Sequence, residues 1–198
     1  MNADREQIYS GLSHAAWGYF FLNFDFNFNT VSIFPRFVGF LLLLSAIDKL
    51  SGERRDLALL RPLTMLLAVW SGLDWLVSWA GGDVDGHILF LDLLVAAAGL
   101  YFQFQFLTDM AALAEQYQAE GDALDQRLRR RRTAYIELVT ATALIFDVPA
   151  GLLGEWREMV ALALAVAACI VALLVMTALF SLRRCFRETE AEGPSSFS

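Results

Sequence analysis

MVALALAVAACIVALLVMTALFSL, residues 159–182, is an uninterrupted apolar stretch without a charged side chain. About 20 consecutive apolar residues are enough for a helix to span the hydrocarbon core of a bilayer. The whole chain shares this character, because 57% of its 198 residues are hydrophobic. Soluble domains usually contain roughly 45 to 50% apolar residues. The sequence therefore predicts an integral membrane protein with a single transmembrane domain over residues 1–187.

Four more apolar segments predict membrane helices, and two of them open with a proline. They run over about 35–47, 62–80, 87–107 and 134–153. Proline suits the first turn of a helix, because its missing N–H would be unpaired there anyway. A further crossing requires residues 8–28 to span the membrane as well. The predicted fold is an all-α, polytopic bundle of about six crossings, or five if this first segment lies in the membrane interface.

Three basic clusters indicate the orientation of these helices. They lie within residues 48–61, 109–133 and 183–187, each beside an apolar segment. Cytoplasmic loops carry the excess of Lys and Arg in membrane proteins, so we expect all three clusters and both termini in the cytoplasm. The net charge of −7 argues against binding to a phosphate backbone. The lipid bilayer, and not nucleic acid, is the expected surrounding.

The stretch FFLNFDFNFN at residues 20–29 departs from helical periodicity. Its apolar residues recur at every second position from Leu22, which is typical of an extended segment. One interpretation is a first helix over about 5–22, followed by an extended return to Pro35 within the bundle. The alternative is that the stretch lies in the outer interface, with Phe toward lipid and Asn toward water.

The connection at 109–133 predicts a cytoplasmic helical hairpin. The preceding helical pattern continues over 111–120, and Gly121 and Asp122 break it. Asp122 then resembles an N-cap, and Asp125 resembles an acidic first-turn residue of the next helix. The arginines of the hairpin fit membrane topology and contact with anionic lipid. At the end of the chain, residues 188–198 predict a disordered tail.

Motifs for catalysis are missing from this sequence. It contains no H-E-x-x-H, C-x-x-C, G-x-S-x-G, Walker A or G-x-G-x-x-G element, and these patterns carry the common metal, nucleophile and nucleotide chemistries. The 2 cysteines form neither a disulfide framework nor a paired metal spacing. The sequence favours a protein that is not an enzyme, and it identifies no cofactor.

Three aspartates stand inside apolar segments, namely Asp74, Asp92 and Asp147. Each lies 6 or 7 residues from an outer loop, which at 1.5 Å per residue is roughly 9 to 11 Å below the outer boundary. Charged groups in a hydrocarbon core are rare and face the protein interior or a water-filled cavity. We therefore expect the three carboxylates to share one level of the bundle.

The predicted ligand-binding set adds four neighbours to these aspartates: Asp25, Arg36, Ser71 and Trp75. No neighbouring intramembrane Lys or Arg compensates the three carboxylates, so at least one should be protonated or bound to a cation. The leading interpretation is an outward-facing site that binds or transports a small cationic solute, an amine or an ion, without a preference for a particular metal. Alternatively, each aspartate is satisfied separately and stabilises helix contacts, or is solvated at the headgroup level.

A second functional class is left open by these residues. The chain could be a non-transporting subunit, such as a regulator, scaffold or assembly factor, that engages a cytoplasmic protein through the hairpin at 109–133. A metal-assisted reaction on lipid headgroups is the remaining enzymatic alternative.

Residues 22–44 read LNFDFNFNTVSIFPRFVGFLLLL. This stretch resembles the D-I-L-P-D-F-I-G-Y-I-L type segment of a loose group of uncharacterised small bacterial multi-pass membrane proteins. The match covers about a tenth of the chain. The resemblance implies a protein of the bacterial cytoplasmic membrane and brings no activity with it. Arg36 stands where the pattern usually has an acidic residue.

Overall fold

The computed structural model describes residues 3–24, 27–28, 31–32, 35–79, 89–118, 122–145, 154 and 156–192. In this part of the chain there are six helices and one pair of two-residue strands. The elements are α1 (Ala3–Asn23), β1 (Asn27–Phe28), β2 (Val31–Ser32), α2 (Arg36–Leu50), α3 (Arg55–Trp79), α4 (Leu89–Tyr117), α5 (Leu124–Leu144) and α6 (Trp156–Glu192). The strands pair antiparallel, within the region whose alternation indicated extended backbone. The prediction of an all-α fold is confirmed.

The helices close into a single bundle. Each helix contacts its neighbours in sequence, and α6 returns to contact both α1 and α4. The four-residue turn at 51–54 between α2 and α3 is too short for anything but an antiparallel arrangement of the two helices. The first and last helices are consequently neighbours in the bundle.

Among the residues that the structure describes, three helices are long and apolar enough to span a membrane. They are Arg55–Trp79, Phe90–Tyr117 and Trp156–Arg187, with mean hydropathies of 1.3, 1.5 and 3.0. In contrast, α2 has 15 residues, which at 1.5 Å per residue is about 22 Å, and a hydrocarbon core is about 30 Å thick. The structure is thus consistent with a membrane protein, and the predicted count of six crossings is not confirmed.

One proline lies inside a helix rather than at its start. Helix α3 begins at Arg55, two turns before Pro62, so the predicted boundary at residue 62 is wrong. Leu57 and Leu60 on these two turns are buried in the core, and their burial offsets the backbone hydrogen bond that proline removes. The other proline, Pro35, is the N-cap of α2 and lies one residue before the helix.

Two helix ends differ from the boundaries expected from the sequence. Helix α5 ends at Leu144, and residues 146–153 of the predicted segment lie outside the described residues. Helix α6 continues to Glu192 and so includes the first five residues of the segment expected to be disordered. Residues 193–198 lie outside the described residues.

The helical hairpin predicted at 109–133 is present and is packed into the bundle. Helix α4 runs unbroken to Tyr117, and α5 begins at Leu124. The side chains of the hairpin that face the bundle are fully or almost fully buried: Met110, Leu113, Leu124 and Leu128. The ring of Tyr117 lies 5.1 Å from that of Phe186 on α6. The hairpin is therefore covered by the C-terminal helix over much of its length.

The start of α5 is capped from the other arm of the hairpin, so the prediction that Asp122 is the N-cap is wrong. The N-cap position is Ala123, which has no side-chain cap. Oε1 of Gln118 accepts hydrogen bonds from the backbone N–H groups of Leu124 at 2.9 Å and Asp125 at 3.2 Å. Gln118 thereby satisfies two amides that lack helical partners. The acidic first-turn residue Asp125 is confirmed.

Two glycines set the close approach of α1 and α2. A Cβ on Gly39 would lie 2.9 Å from the backbone N of Leu22 and 3.0 Å from the carbonyl O of Gly18. A Cβ on Gly18 would lie 2.8 Å from Cγ of Leu43. Because real side-chain carbons cannot approach this closely, the two helices can touch backbone to backbone only with glycine at these positions.

Candidate functional site

The two predicted aspartates that the structure describes lie at the same end of neighbouring helices. Asp74 is five residues before the end of α3, and Asp92 is three residues after the start of α4. The two helices contact each other, and both residues are half-buried. Asp147 and Asp25 lie outside the described residues, so the convergence of all three intramembrane carboxylates stays a prediction.

The other predicted site residues take separate roles near this end. Arg36 is the first residue of α2 and is exposed. The hydroxyl of Ser71 donates a hydrogen bond to the carbonyl of Leu67 within α3. The ring of Trp75 lies 5.5 Å from that of Phe37 and 5.5 Å from that of Trp79. Over the described ranges, no group of three or more His, Cys, Asp or Glu side chains could hold a metal ion.

The helices are packed closely at one end of the bundle and loosely at the other. In α3 no residue after Ala68 is buried, and in α4 none of residues 90–101 is buried. None of residues 136–144 of α5 is buried either, and in α6 only Ala161 is buried between 156 and 171. We call these four segments the open half. Large apolar side chains such as Leu73 and Phe90 are exposed there, as expected for a surface that contacts lipid.

Buried aromatic rings lie where the close packing ends and the open half begins. They are Tyr19, Phe40, Phe102 and Tyr135, which come from α1, α2, α4 and α5. The ring centroids of Tyr19 and Tyr135 are 6.2 Å apart, and those of Phe40 and Phe102 are 5.8 Å apart. We call this layer the aromatic floor, because each ring lies at the boundary between the packed part of its helix and the outer end of the bundle.

Polar side chains surround the hydroxyl of Tyr135 at the aromatic floor. This hydroxyl donates a hydrogen bond to Oδ1 of Asn23 and accepts one from Nε2 of Gln103 at 3.4 Å. Nδ2 of Asn23 donates to the backbone carbonyl of Tyr19 at 2.8 Å. Phenol and carboxamide groups from three helices therefore meet inside an otherwise apolar bundle.

None of the residues of this cluster was among the predicted site residues. Gln103 lies eleven residues after Asp92 on the same helix, and a polar side chain in an apolar segment was the signal that could have found it. Tyr19 and Tyr135 carried no such signal, because tyrosine is common in apolar helices and at membrane interfaces. Only the tertiary arrangement brings their rings into contact, because side chains of α1 and α5 meet across the bundle.

A second polar cluster joins α1 to α2 toward the packed end. Nζ of Lys49 donates to Oγ of Ser10 at 2.8 Å and lies 3.1 Å from Nδ1 of His14. Oγ of Ser45 lies 3.0 Å from the same ring nitrogen. An ammonium group can only donate hydrogen bonds, so Nδ1 of His14 acts as an acceptor. This lysine is thus held by the neighbouring helix and is not directed at a ligand.

The arginines of the hairpin are largely engaged within the chain. Arg129 pairs with Glu115 at 2.7 Å. Arg132 donates to Oγ1 of Thr108 at 2.6 Å, and its guanidinium lies 4.1 Å from the centroid of the Phe104 ring. Such contacts between the two arms stabilise the hairpin and reduce the basic surface that it offers to a partner.

A buried carboxylate that the sequence did not single out lies on α4. Asp109 is only 2% exposed, and Nε2 of Gln105 donates to its Oδ1 at 3.2 Å. Asp109 is therefore bonded to a side chain one turn earlier on its own helix. The sequence predicted a connection between helices at this position, where a carboxylate is common and indicates no special role.

Comparison of the chain with protein-family models, with curated proteins and with solved structures finds no match.

Proposed function

We propose that the chain is a six-crossing protein of a bacterial cytoplasmic membrane that binds, from the outer side, a small cationic solute or ion in the open half of the bundle. The observation that carries the proposal is the position of Asp74 and Asp92. These half-buried carboxylates stand on neighbouring apolar helices, at the end where the bundle is loosely packed. Transport of the solute would extend this binding function.

The physical reason is the cost of charge in a membrane. A carboxylate in hydrocarbon is destabilising unless it is protonated, paired or bound to a cation. Two carboxylates at one level of adjacent helices increase this cost, because their negative charges repel each other. A cation that enters from outside would lower the free energy of both carboxylates together.

The arrangement of the basic segments supports the proposed orientation. The hydroxyl of Tyr117 at the hairpin donates to Oε2 of Glu53 in the turn between α2 and α3 at 2.7 Å. The ring of Tyr117 also contacts Phe186 near the end of α6. The three basic clusters of the sequence adjoin these three segments and so gather at the packed end. Under the positive-inside bias this end faces the cytoplasm, and the open half faces outward.

Cysteine labelling in intact cells tests the orientation. Native Cys169 and Cys185 are first replaced by alanine. A membrane-impermeant maleimide should then label Val84→Cys in the connection at 80–88 without permeabilisation. Gln126→Cys, at an exposed position of the hairpin, should be labelled only after permeabilisation. The reverse pattern would refute the orientation.

Thermal unfolding of the purified protein tests cation binding. The assay compares sodium, potassium, magnesium and a series of alkylammonium salts at constant ionic strength. We expect at least one cation to raise the unfolding temperature, because a ligand that binds only the folded state stabilises it. Asp74→Asn and Asp92→Asn should abolish this shift, whereas Glu158→Gln, at an exposed position of α6, should retain it. Equal shifts in all three variants would refute the site.

The alternative function, engagement of a cytoplasmic protein by the hairpin at 109–133, has less support. Many of the charged side chains of the hairpin pair with each other, and α6 covers its inner face. The exposed Arg130 is a residue that such a partner could contact. A partner that co-purifies with the native chain and is lost in Arg130→Glu would favour this alternative.

A further inference from the structure

Two buried polar atoms at the aromatic floor have no hydrogen-bond partner among the described residues. They are the hydroxyl oxygen of Tyr19 and Oε1 of Gln103. Tyr19 is 1% exposed, so bulk solvent does not reach its hydroxyl. Both residues adjoin Tyr135, the first through a ring contact of 6.2 Å and the second through a hydrogen bond of 3.4 Å. They do not bond to each other, although their chemistries are complementary.

The hydrogen-bonding capacities of the two atoms specify the missing partner. A phenol hydroxyl can donate and accept, whereas an amide oxygen can only accept. A group that pairs both the hydroxyl proton of Tyr19 and Oε1 of Gln103 must accept from Tyr19 and donate to Gln103. A hydroxyl group does this, but an ammonium group cannot accept and a carboxylate cannot donate. Because leaving such groups buried without partners is costly, a bound hydroxyl is favoured.

The residues around these two polar atoms indicate the chemical character of the rest of the ligand. The rings of Phe40 and Phe102 lie in the same layer, and sites for small organic molecules typically combine aromatic walls with a few polar groups. No buried side chain of the described helices α3, α4 and α5 fills the open half above the layer.

The geometry points to a binding site at the aromatic floor for a neutral solute with an apolar or aromatic body and one hydroxyl group. The hydroxyl group of the solute bridges Tyr19 and Gln103, and its apolar or aromatic part lies toward the open half. This site is distinct from the proposed cation site. Asp92 and Gln103 are eleven residues apart on α4, which at 1.5 Å per residue is about 16 Å, so one small molecule cannot contact both.

A pair of matched probes tests the site in the detergent-solubilised full chain. Para-fluorobenzyl alcohol and para-fluorotoluene share the fluorinated ring and the benzylic carbon, and they differ only by the hydroxyl group. Binding is measured by the shift and broadening of the ligand resonance in fluorine NMR. The alcohol should bind about three- to tenfold more tightly than the toluene, as expected for one or two hydrogen bonds.

Three variants identify where the alcohol binds. Tyr19→Phe and Gln103→Leu should each bring the affinity for the alcohol close to that for the toluene. Tyr101→Phe removes an exposed hydroxyl from the same helix α4 and should leave the preference unchanged. Tyr19→Phe keeps the ring and its packing, so it decides the question even if Gln103→Leu does not fold.

The stability of the empty protein provides an independent check. If the hydroxyl of Tyr19 has no partner, Tyr19→Phe should unfold at the same temperature as the native chain or higher. A clear loss of stability in Tyr19→Phe would show that a water or side chain already satisfies this hydroxyl and would overturn the proposal. So would an unchanged preference for the alcohol in Tyr19→Phe. Neither result bears on cation binding, which depends on Asp74 and Asp92.

Discussion

Gly39→Ala tests the close approach of α1 and α2 with a single added carbon. The new Cβ would meet three backbone atoms, at 2.9 Å from Leu22, 3.0 Å from Gly18 and 3.2 Å from Phe21. Ordinary van der Waals contact begins at 3.4 Å, so α1 must withdraw by about half an ångström. No flexible side chain can move aside instead, because all three atoms belong to the backbone of α1.

The expected change in the free energy of unfolding of Gly39→Ala follows from two opposing effects. Overpacking in a closely packed interior costs about 1 to 3 kcal/mol, and rigid backbone contacts favour the upper end of this range. Alanine returns about 1 kcal/mol through its higher helix propensity. We therefore expect Gly39→Ala to lower the free energy of unfolding by about 2 kcal/mol, which in a chain of this size lowers the unfolding temperature by about 4 to 8 °C.

The matched control is Gly99→Ala in α4, where a Cβ would meet nothing within 4 Å. At this position only the higher helix propensity of alanine should change the stability. The variant should therefore be about as stable as the native chain or up to about 1 kcal/mol more stable. The measurement is thermal unfolding in detergent, followed by far-UV circular dichroism. The reasoning is refuted if Gly39→Ala is as stable as the native chain, or if both variants lose the same stability.

The remaining predictions concern the packed end of the bundle. Gln118→Ala removes the cap of α5 and should lower the free energy of unfolding by about 1 kcal/mol. The control Gln116→Ala, at an exposed position, should be nearly neutral. Equal effects of the two variants in chemical unfolding would contradict the capping role. The hydrogen bond from Gln118 lowers the pKa of Asp125 in the folded chain. The stabilisation from this bond is fully present at a pH above the pKa of Asp in the unfolded chain, about 3.9. It is lost as the pH falls through the lower pKa of the folded chain. Asp125→Asn should therefore make unfolding less sensitive to pH below about 4, and an unchanged acid profile would argue against this contribution. Tyr117→Phe removes the hydrogen bond to Glu53 but keeps the ring, and should lower stability by about 1 kcal/mol; a neutral effect in the same unfolding assay would show that this contact is not stabilising.

Local features of the chain were sufficient to predict the class of structure. Apolar stretches such as 159–182 predict membrane-length helices because burial of apolar surface and saturation of backbone hydrogen bonds act along each segment by itself. The helical hairpin was equally readable, since the apolar pattern continues past residue 109 and breaks at Gly121. The alternation after Leu22 also indicated extended backbone, and two-residue strands lie in that region.

Capping and helix starts were less predictable, because they depend on contacts across a turn or with another helix. Asp122 has a typical capping side chain, yet Gln118 on the facing arm occupies the amides that Asp122 would have bonded. Pro62 is a typical first-turn residue, yet the burial of Leu57 and Leu60 against the bundle extends α3 beyond it. In both cases a longer-range contact outweighs a local preference.

By itself, the sequence determined that the chain forms apolar helices with three basic clusters beside them, because composition and charge are properties of each segment. Only the tertiary structure decided which faces of those helices meet. Helices that are apolar on most sides have no strong preferred face, so the sequence could not specify their rotation. The bond between Asn23 and Tyr135 joins residues 112 positions apart. The aromatic floor exists only because the glycine contact brings α2 against α1 and because α6 contacts both α1 and α5.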